Sequence, residues 1–168
     1  MSYQEKRTIV SIVTGVFILT AYCIYVYIKL KSGTVETGDV RFWAGCILTF
    51  IGIGIIANII MMILFHILLS VLIAIKKTVH EEECNGKAIE KMVDSEMIED
   101  EMDRLIGLKS MRISFAIAGV GFLIGLLSLI LNYSVVVMLN ILFLSFSVGS
   151  LFEGFSQLYY YRKGIYHV

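Results

Sequence analysis

Apolar residues fall along this chain in four long runs parted by polar segments. The first is Thr8 to Ile28, with no charge inside it. The second is Phe42 to Ile75, also uncharged when His66 is neutral. The third is Ile113 to Leu131. The fourth starts near Val135 and stays apolar to Phe152, then reaches Glu153 and the run Tyr159, Tyr160, Tyr161. A hydrocarbon core of about 30 Å takes roughly 20 apolar residues as a helix. The pattern therefore predicts membrane helices at about 8–28, at 42–66 continuing inward to about 80, at 113–131 and at 135–158. Only helices satisfy every backbone group within such a segment, and the runs do not alternate as barrel strands would. The first run is longer than a signal peptide's apolar core, and no small-residue cleavage site follows it. The fold class expected is all-α: an integral membrane four-helix bundle in one domain, 1–168.

The second run is too long for one crossing. As a helix it measures roughly 50 Å, and tilt absorbs only part of that excess. With Trp43 at the outer interface, residues near Met62 reach the inner one. His66 then lies at the headgroups, and the apolar side chains from Ile67 to Ile75 project inward. Bare apolar surface of that size calls for a cover. Lys87 to Met111 is charged yet periodic: Ile89, Met92, Val93, Met97, Ile98, Met102, Leu105 and Ile106 recur mostly at spacings of three and four, an amphipathic helix pattern. Cys84-Asn85-Gly86 supplies a turn before it. The expectation is a cytoplasmic helical hairpin over 76–112 between helices two and three. Its acidic helix packs back on the second helix and then runs into the third. A helix lying flat on the membrane is the weaker alternative. Such helices favour basic polar faces, whereas this one carries Glu90, Asp94, Glu96, Glu99, Asp100, Glu101 and Asp103.

Composition agrees. The chain is 58% hydrophobic and 17% charged, with a mean hydropathy of +0.84. Soluble domains run near 45–50% and 25%, so an ordinary cytosolic globule is excluded. Fourteen Lys and Arg balance fourteen Asp and Glu, leaving no net basic field for direct nucleic-acid binding. Lys6 and Arg7 at the start, Arg162 and Lys163 at the end, and Lys76, Lys77, Lys87, Lys91, Arg104, Lys109 and Arg112 in the second loop share one side. Only Lys29, Lys31 and Arg41 take the other. The positive-inside rule then predicts a multi-pass cell-membrane protein with both termini cytoplasmic. Tyr22, Tyr25, Tyr27, Trp43 and Tyr133 fall at the outer side as an aromatic belt, and Tyr159 to Tyr161 anchor the inner end of the fourth helix.

Small residues let helices approach closely in lipid. The candidates are Gly121 and Gly125, spaced as GxxxG, with Gly52 on the second helix and Gly149 on the fourth. Intrachain packing is the commoner use of such residues; a homodimer face is the other. The absence of proline fits unkinked helices and counts modestly against the broken helices of transporters.

Candidate chemistry is sparse. The first and third runs carry no charged residue, and four-helix multidrug exporters place an acid in the first helix where this chain has none. Glu153, with Tyr159 and Arg162 close by, reads as an interfacial cap or ion pair rather than a proton relay. Asn58 and Asn140 read as interhelical hydrogen-bonding residues, and His66 as interfacial with a weaker pH-sensing alternative. His80 and Cys84 have the spacing of two metal ligands, but a structural zinc needs four. No second pair is visible, so the expectation is no metal. Cys23 and Cys46 lie towards the outer ends of their helices; a disulfide needs Cα atoms within about 7 Å, and free thiols are the default. With no nucleophile–base pair, metal cluster or nucleotide loop, no enzyme and no cofactor is expected.

The stretch from Glu99 to Arg112, just before a glycine-containing run, resembles a family of small bacterial and archaeal membrane proteins of uncharacterised function. Their signature is Asp-Glu-x-Asp-x-Leu-Ile-x-x-Lys ahead of the third transmembrane helix, matched by Asp100, Glu101, Asp103, Leu105, Ile106 and Lys109. Some members have Arg where this chain has Met102. The ending from Tyr160 to Gly164 is also similar, and the resemblance covers mainly the chain from about residue 95 on. It implies a four-helix membrane fold and no particular activity; members encoded beside small helix-turn-helix regulators imply a regulatory pairing. The residues themselves place Asp100, Asp103 and Arg104 on one helical face, with Asp100 and Arg104 as a favourable i, i+4 pair. Leu105 and Ile106 point away to pack on the second helix, and Lys109 and Arg112 snorkel at the boundary.

The expected function is a non-enzymatic regulatory or scaffold protein in membrane lipid. It presents Asp100, Glu101, Asp103, Arg104 and Lys109 to a cytosolic regulator with basic residues. The alternative is a small homo-oligomeric transporter or channel subunit.

Overall fold

The computed structural model describes residues 3–33, 39–79 and 100–164. They form four helices: α1 (Tyr3–Ser32), α2 (Val40–Val79), α3 (Glu101–Ile130) and α4 (Val135–Lys163). Each is long and apolar enough to cross a membrane. Residues 80–99, where the turn and most of the predicted acidic helix fall, lie outside the described residues.

The helices run past their apolar stretches at the polar ends, and at the starts of α2 and α3 side chains close free backbone groups. Asp39 starts α2: its carboxylate accepts from the Phe42 N–H at 3.0 Å, and its carbonyl accepts from the Trp43 N–H at 3.2 Å. The α3–α4 turn is short. Asn132 adopts φ 63°, a left-handed conformation that asparagine tolerates better than most residues. The N–H groups of Leu131, Asn132 and Tyr133 return to Leu127, Leu129 and Ser128. Two helices joined this tightly must lie antiparallel and adjacent.

α4 is the central helix. It packs extensively on α3, and also on α1 and α2, while α1 and α2 share a further seam. Glycine permits this. A Cβ on Gly121 would collide with the Ser145 side chain, and one on Gly149 would stand 2.9 Å from the Ser114 carbonyl oxygen. One on Gly154 would stand 2.6 Å from Ile12 Cγ1, and one on Gly125 3.3 Å from Met138 Cγ. Gly121, Gly125 and Gly149 thus serve packing within the chain. Gly52 differs: a Cβ there meets nothing within 4 Å, so it makes no close helix contact among the described residues.

Two aromatic side chains expected at the outer belt turn inward instead. Tyr22 is 1% exposed, as is Trp43. The Tyr22 hydroxyl donates to Asn140 Oδ1 at 2.7 Å, and Asn140 Nδ2 donates to the Val136 carbonyl at 2.8 Å. The Tyr22 ring lies on Phe143, with centroids 4.3 Å apart, and meets Phe50 edge-on at 5.1 Å. A ring that buries its face and satisfies its hydroxyl gains more in the core than at an interface. Cys23 and Cys46 are free thiols.

α2 is continuous for 40 residues, about 60 Å at helical rise. Beyond Trp43 none of its described side chains is buried. Its end is tied to the start of α1: the Tyr3 hydroxyl and His66 Nε2 are hydrogen-bonded at 3.1 Å, and the Tyr3 and Phe65 rings are 5.4 Å apart. Past His66 the helix goes on for about 20 Å, with Ile67, Leu68 and Val71 exposed.

Candidate functional site

At the end of the bundle where α1 starts and α4 finishes, three segments converge around the start of α3. Asp100 stands just before the helix, with φ −82° and ψ 172°. Its carboxylate accepts from the Asp103 N–H at 2.7 Å, and the Asp103 carboxylate accepts from the Asp100 N–H at 3.2 Å. This reciprocal pair is a capping box, which satisfies free amide groups and places negative charge at the positive end of the helix dipole. It corrects two sequence expectations. The periodicity of Lys87–Met111 predicts one helix, but the extended backbone at Asp100 interrupts it. The predicted Asp100–Arg104 side-chain pair gives way to capping, because Asp100 is outside the helix and its carboxylate points at the backbone.

Beyond the cap, Glu101, Met102, Arg104 and Leu105 are exposed, and Asp103 is half-buried. Ile106 is 2% exposed. The two do not pack together on the second helix as expected: Leu105 is exposed, and Ile106 lines a cleft of about 380 Å³ with Glu5, Asp100, Asp103, Tyr160 and Tyr161. Glu5 is itself nine-tenths buried. Among the described residues the ionisable lining consists of three carboxylates and two phenols, a predominantly acidic surface. Lys109 reaches across to α4, its Nζ lying 5.5 Å from the centroid of the Tyr160 ring. Thr8 ties α1 to the same end: its hydroxyl donates to the Gln4 carbonyl at 2.9 Å and lies 3.3 Å from Gln157 Oε1.

The structure thus gathers Asp100, Asp103 and Lys109 with Tyr160 and Tyr161, expected as an anchor, and with Glu5, for which the sequence pattern suggests no role. The Asp-x-x-Asp spacing, a cap pattern, is the signal that could have paired Asp100 with Asp103; it does not point to Glu5 or the tyrosines. Glu153 is placed differently from expectation. α4 runs on to Lys163, so Glu153 sits about 15 Å from the helix end, beside Met111, Ser114 and Phe115 rather than at Arg162. Among the described residues it makes no ion pair. No group of three His, Cys, Asp or Glu is placed to hold a metal ion among the described residues; His80 and Cys84 lie outside them.

The chain matches none of the family models, curated proteins or solved structures with which it was compared.

Proposed function

We propose that this is a non-enzymatic membrane protein of regulatory or scaffold type, lying in the cell membrane with both termini cytoplasmic. In this reading the capped start of α3 is a docking surface for a cytosolic partner rich in basic residues. One observation carries it: exposed Glu101, Met102 and Leu105 stand beside an acidic cleft formed by Glu5, Asp100 and Asp103. Long-range attraction from the acids and local apolar contact suit a basic amphipathic partner. The cytoplasmic hairpin and the family resemblance belong to this reading as well: residues 80–99 would cover the inner end of α2.

A photo-crosslinker in place of Leu105, activated in intact cells, tests it. Adducts to a soluble protein are expected, and they should vanish when Glu101→Lys is combined with Asp100→Asn and Glu5→Gln. Asp100→Asn removes charge yet keeps the cap. Adducts only to lipid would end the proposal. The second reading, a homo-oligomeric transporter or channel subunit, draws on α2, where Gly45 and Gly52 face open space.

A further inference from the structure

Between α1, α2 and α4 lies a cavity of about 540 Å³. Among the described residues, aromatic contacts clasp α2 to α1 at two places, Phe50 on Tyr22 and Tyr25, and Phe65 and His66 on Tyr3. Between these clasps the approach is looser than at the glycines of α3 and α4: a Cβ on Gly54 would meet only Ile18, at an ordinary contact distance of 3.7 Å. The rim residues Leu48 and Phe146 are exposed, so the cavity opens on the surroundings of the bundle, which in a bilayer are lipid. Along α2 it extends from Ala44 to Asn58, about 21 Å, longer than one leaflet's share of a 30 Å hydrocarbon core.

Its lining is sorted by polarity. Asn58, Ser11, Ser147 and Ser150 stand towards the Tyr3–His66 clasp, and the far end, at Ala44, Leu48 and Leu139, is apolar. Among the described residues no Asp, Glu, Lys, Arg or His lines it. Among the described residues the side chains of Asn58, Ser11 and Ser150 make no hydrogen bond, while Ser147 donates to the Phe143 carbonyl at 2.8 Å and keeps its acceptor sites. Amide and hydroxyl groups without partners are costly in hydrocarbon.

We infer that this groove binds a neutral single-chain amphiphile of the monoacylglycerol type. Its hydroxyl-bearing head meets Asn58 and Ser150, and its tail lies along Ile51 and Leu142 towards Ala44. A charged head would be buried without a counter-charge, so a phospholipid or a fatty amine is a poor occupant. This inference is independent of the docking surface at Asp100, since it concerns the other side of the bundle's polar end and needs no protein partner.

Trp43, the chain's only tryptophan, adjoins Ala44 at the tail end and serves as the probe. The full chain in nanodiscs is titrated with a monoacylglycerol brominated at the tail terminus. Saturable quenching of Trp43 fluorescence is expected. Affinity should fall about tenfold in Asn58→Leu, which removes the head's partner. Binding should be lost in Gly54→Leu, or in Ile51→Phe if the first variant does not fold, with thermal unfolding as the check. Quenching that never saturates, or that matches tail-brominated phosphatidylcholine, overturns the inference. So does quenching unchanged in a folded groove-filling variant, or a brominated fatty amine that binds equally well.

Discussion

The ammonium of Lys109 on α3 lies over the ring of Tyr160 on α4, 5.5 Å from its centroid. The contact joins the two helices where they leave the apolar zone, and it links the Asp100–Lys109 stretch to the tyrosine-rich end of α4. A cation over an aromatic face contributes about 0.5–1 kcal/mol at exposed sites. Lys109→Met and Tyr160→Leu should each lower unfolding stability in detergent by about that much, and the double variant should lose less than the sum. Lys109→Arg should retain the contact.

The capping box gives a sharper test. Asp100→Ala removes the acceptor for the Asp103 N–H and should cost roughly 1 kcal/mol, whereas Asp100→Asn should cost much less. Hydrogen exchange of the amides of residues 101–104 reads this locally. Equal protection in both variants would show that the cap contributes nothing.

Gly149 and Gly52 should respond in opposite ways. A methyl at Gly149 meets the Ser114 carbonyl oxygen, part of a backbone that cannot swing aside. Gly149→Ala should therefore destabilise the bundle by about 1–3 kcal/mol. Gly52→Ala meets open space and should leave monomer stability unchanged. Cross-linking of the Gly52→Leu variant adds a second readout: a dimer built on the α2 face would be lost, whereas a monomer would behave as before.

The Tyr22–Asn140 hydrogen bond is interhelical and lies in the buried core. Such bonds in membranes average about 0.6 kcal/mol in double-mutant cycles. Tyr22→Phe should destabilise modestly by leaving Asn140 Oδ1 without its donor. Combining it with Asn140→Leu should restore part of the loss. Unfolding in a detergent–denaturant mixture measures the cycle.

Much of the fold was legible because the membrane makes helices obligatory: each uncharged run had to be one, and the four runs are four helices. What escaped lies where polar groups bond in ways a pattern does not display. Asp100 and Asp103 read as a charged face because i, i+4 reasoning assumes helix on both sides, yet Asp100 is where the helix begins. Tyr22 and Trp43 read as belt residues from their depth alone; the inward rotation of Tyr22 depends on Asn140, Phe143 and Phe50 in other parts of the chain. Glu5 and Tyr160, distant in sequence, meet at the cleft only through the antiparallel order of α1 and α4. The groove beside Asn58 is a property of three helix spacings at once, and no single segment encodes it.

The position of α4 in the chain has a consequence for biogenesis. The helix that holds all the others together is the last of the four to emerge from the ribosome. Until it arrives, α1 and α2 share only a partial seam, and α3 lacks its main neighbour. The early helices must therefore wait in the bilayer, or with an insertion factor, and a chain truncated before Val135 would leave three spans with nothing to gather them.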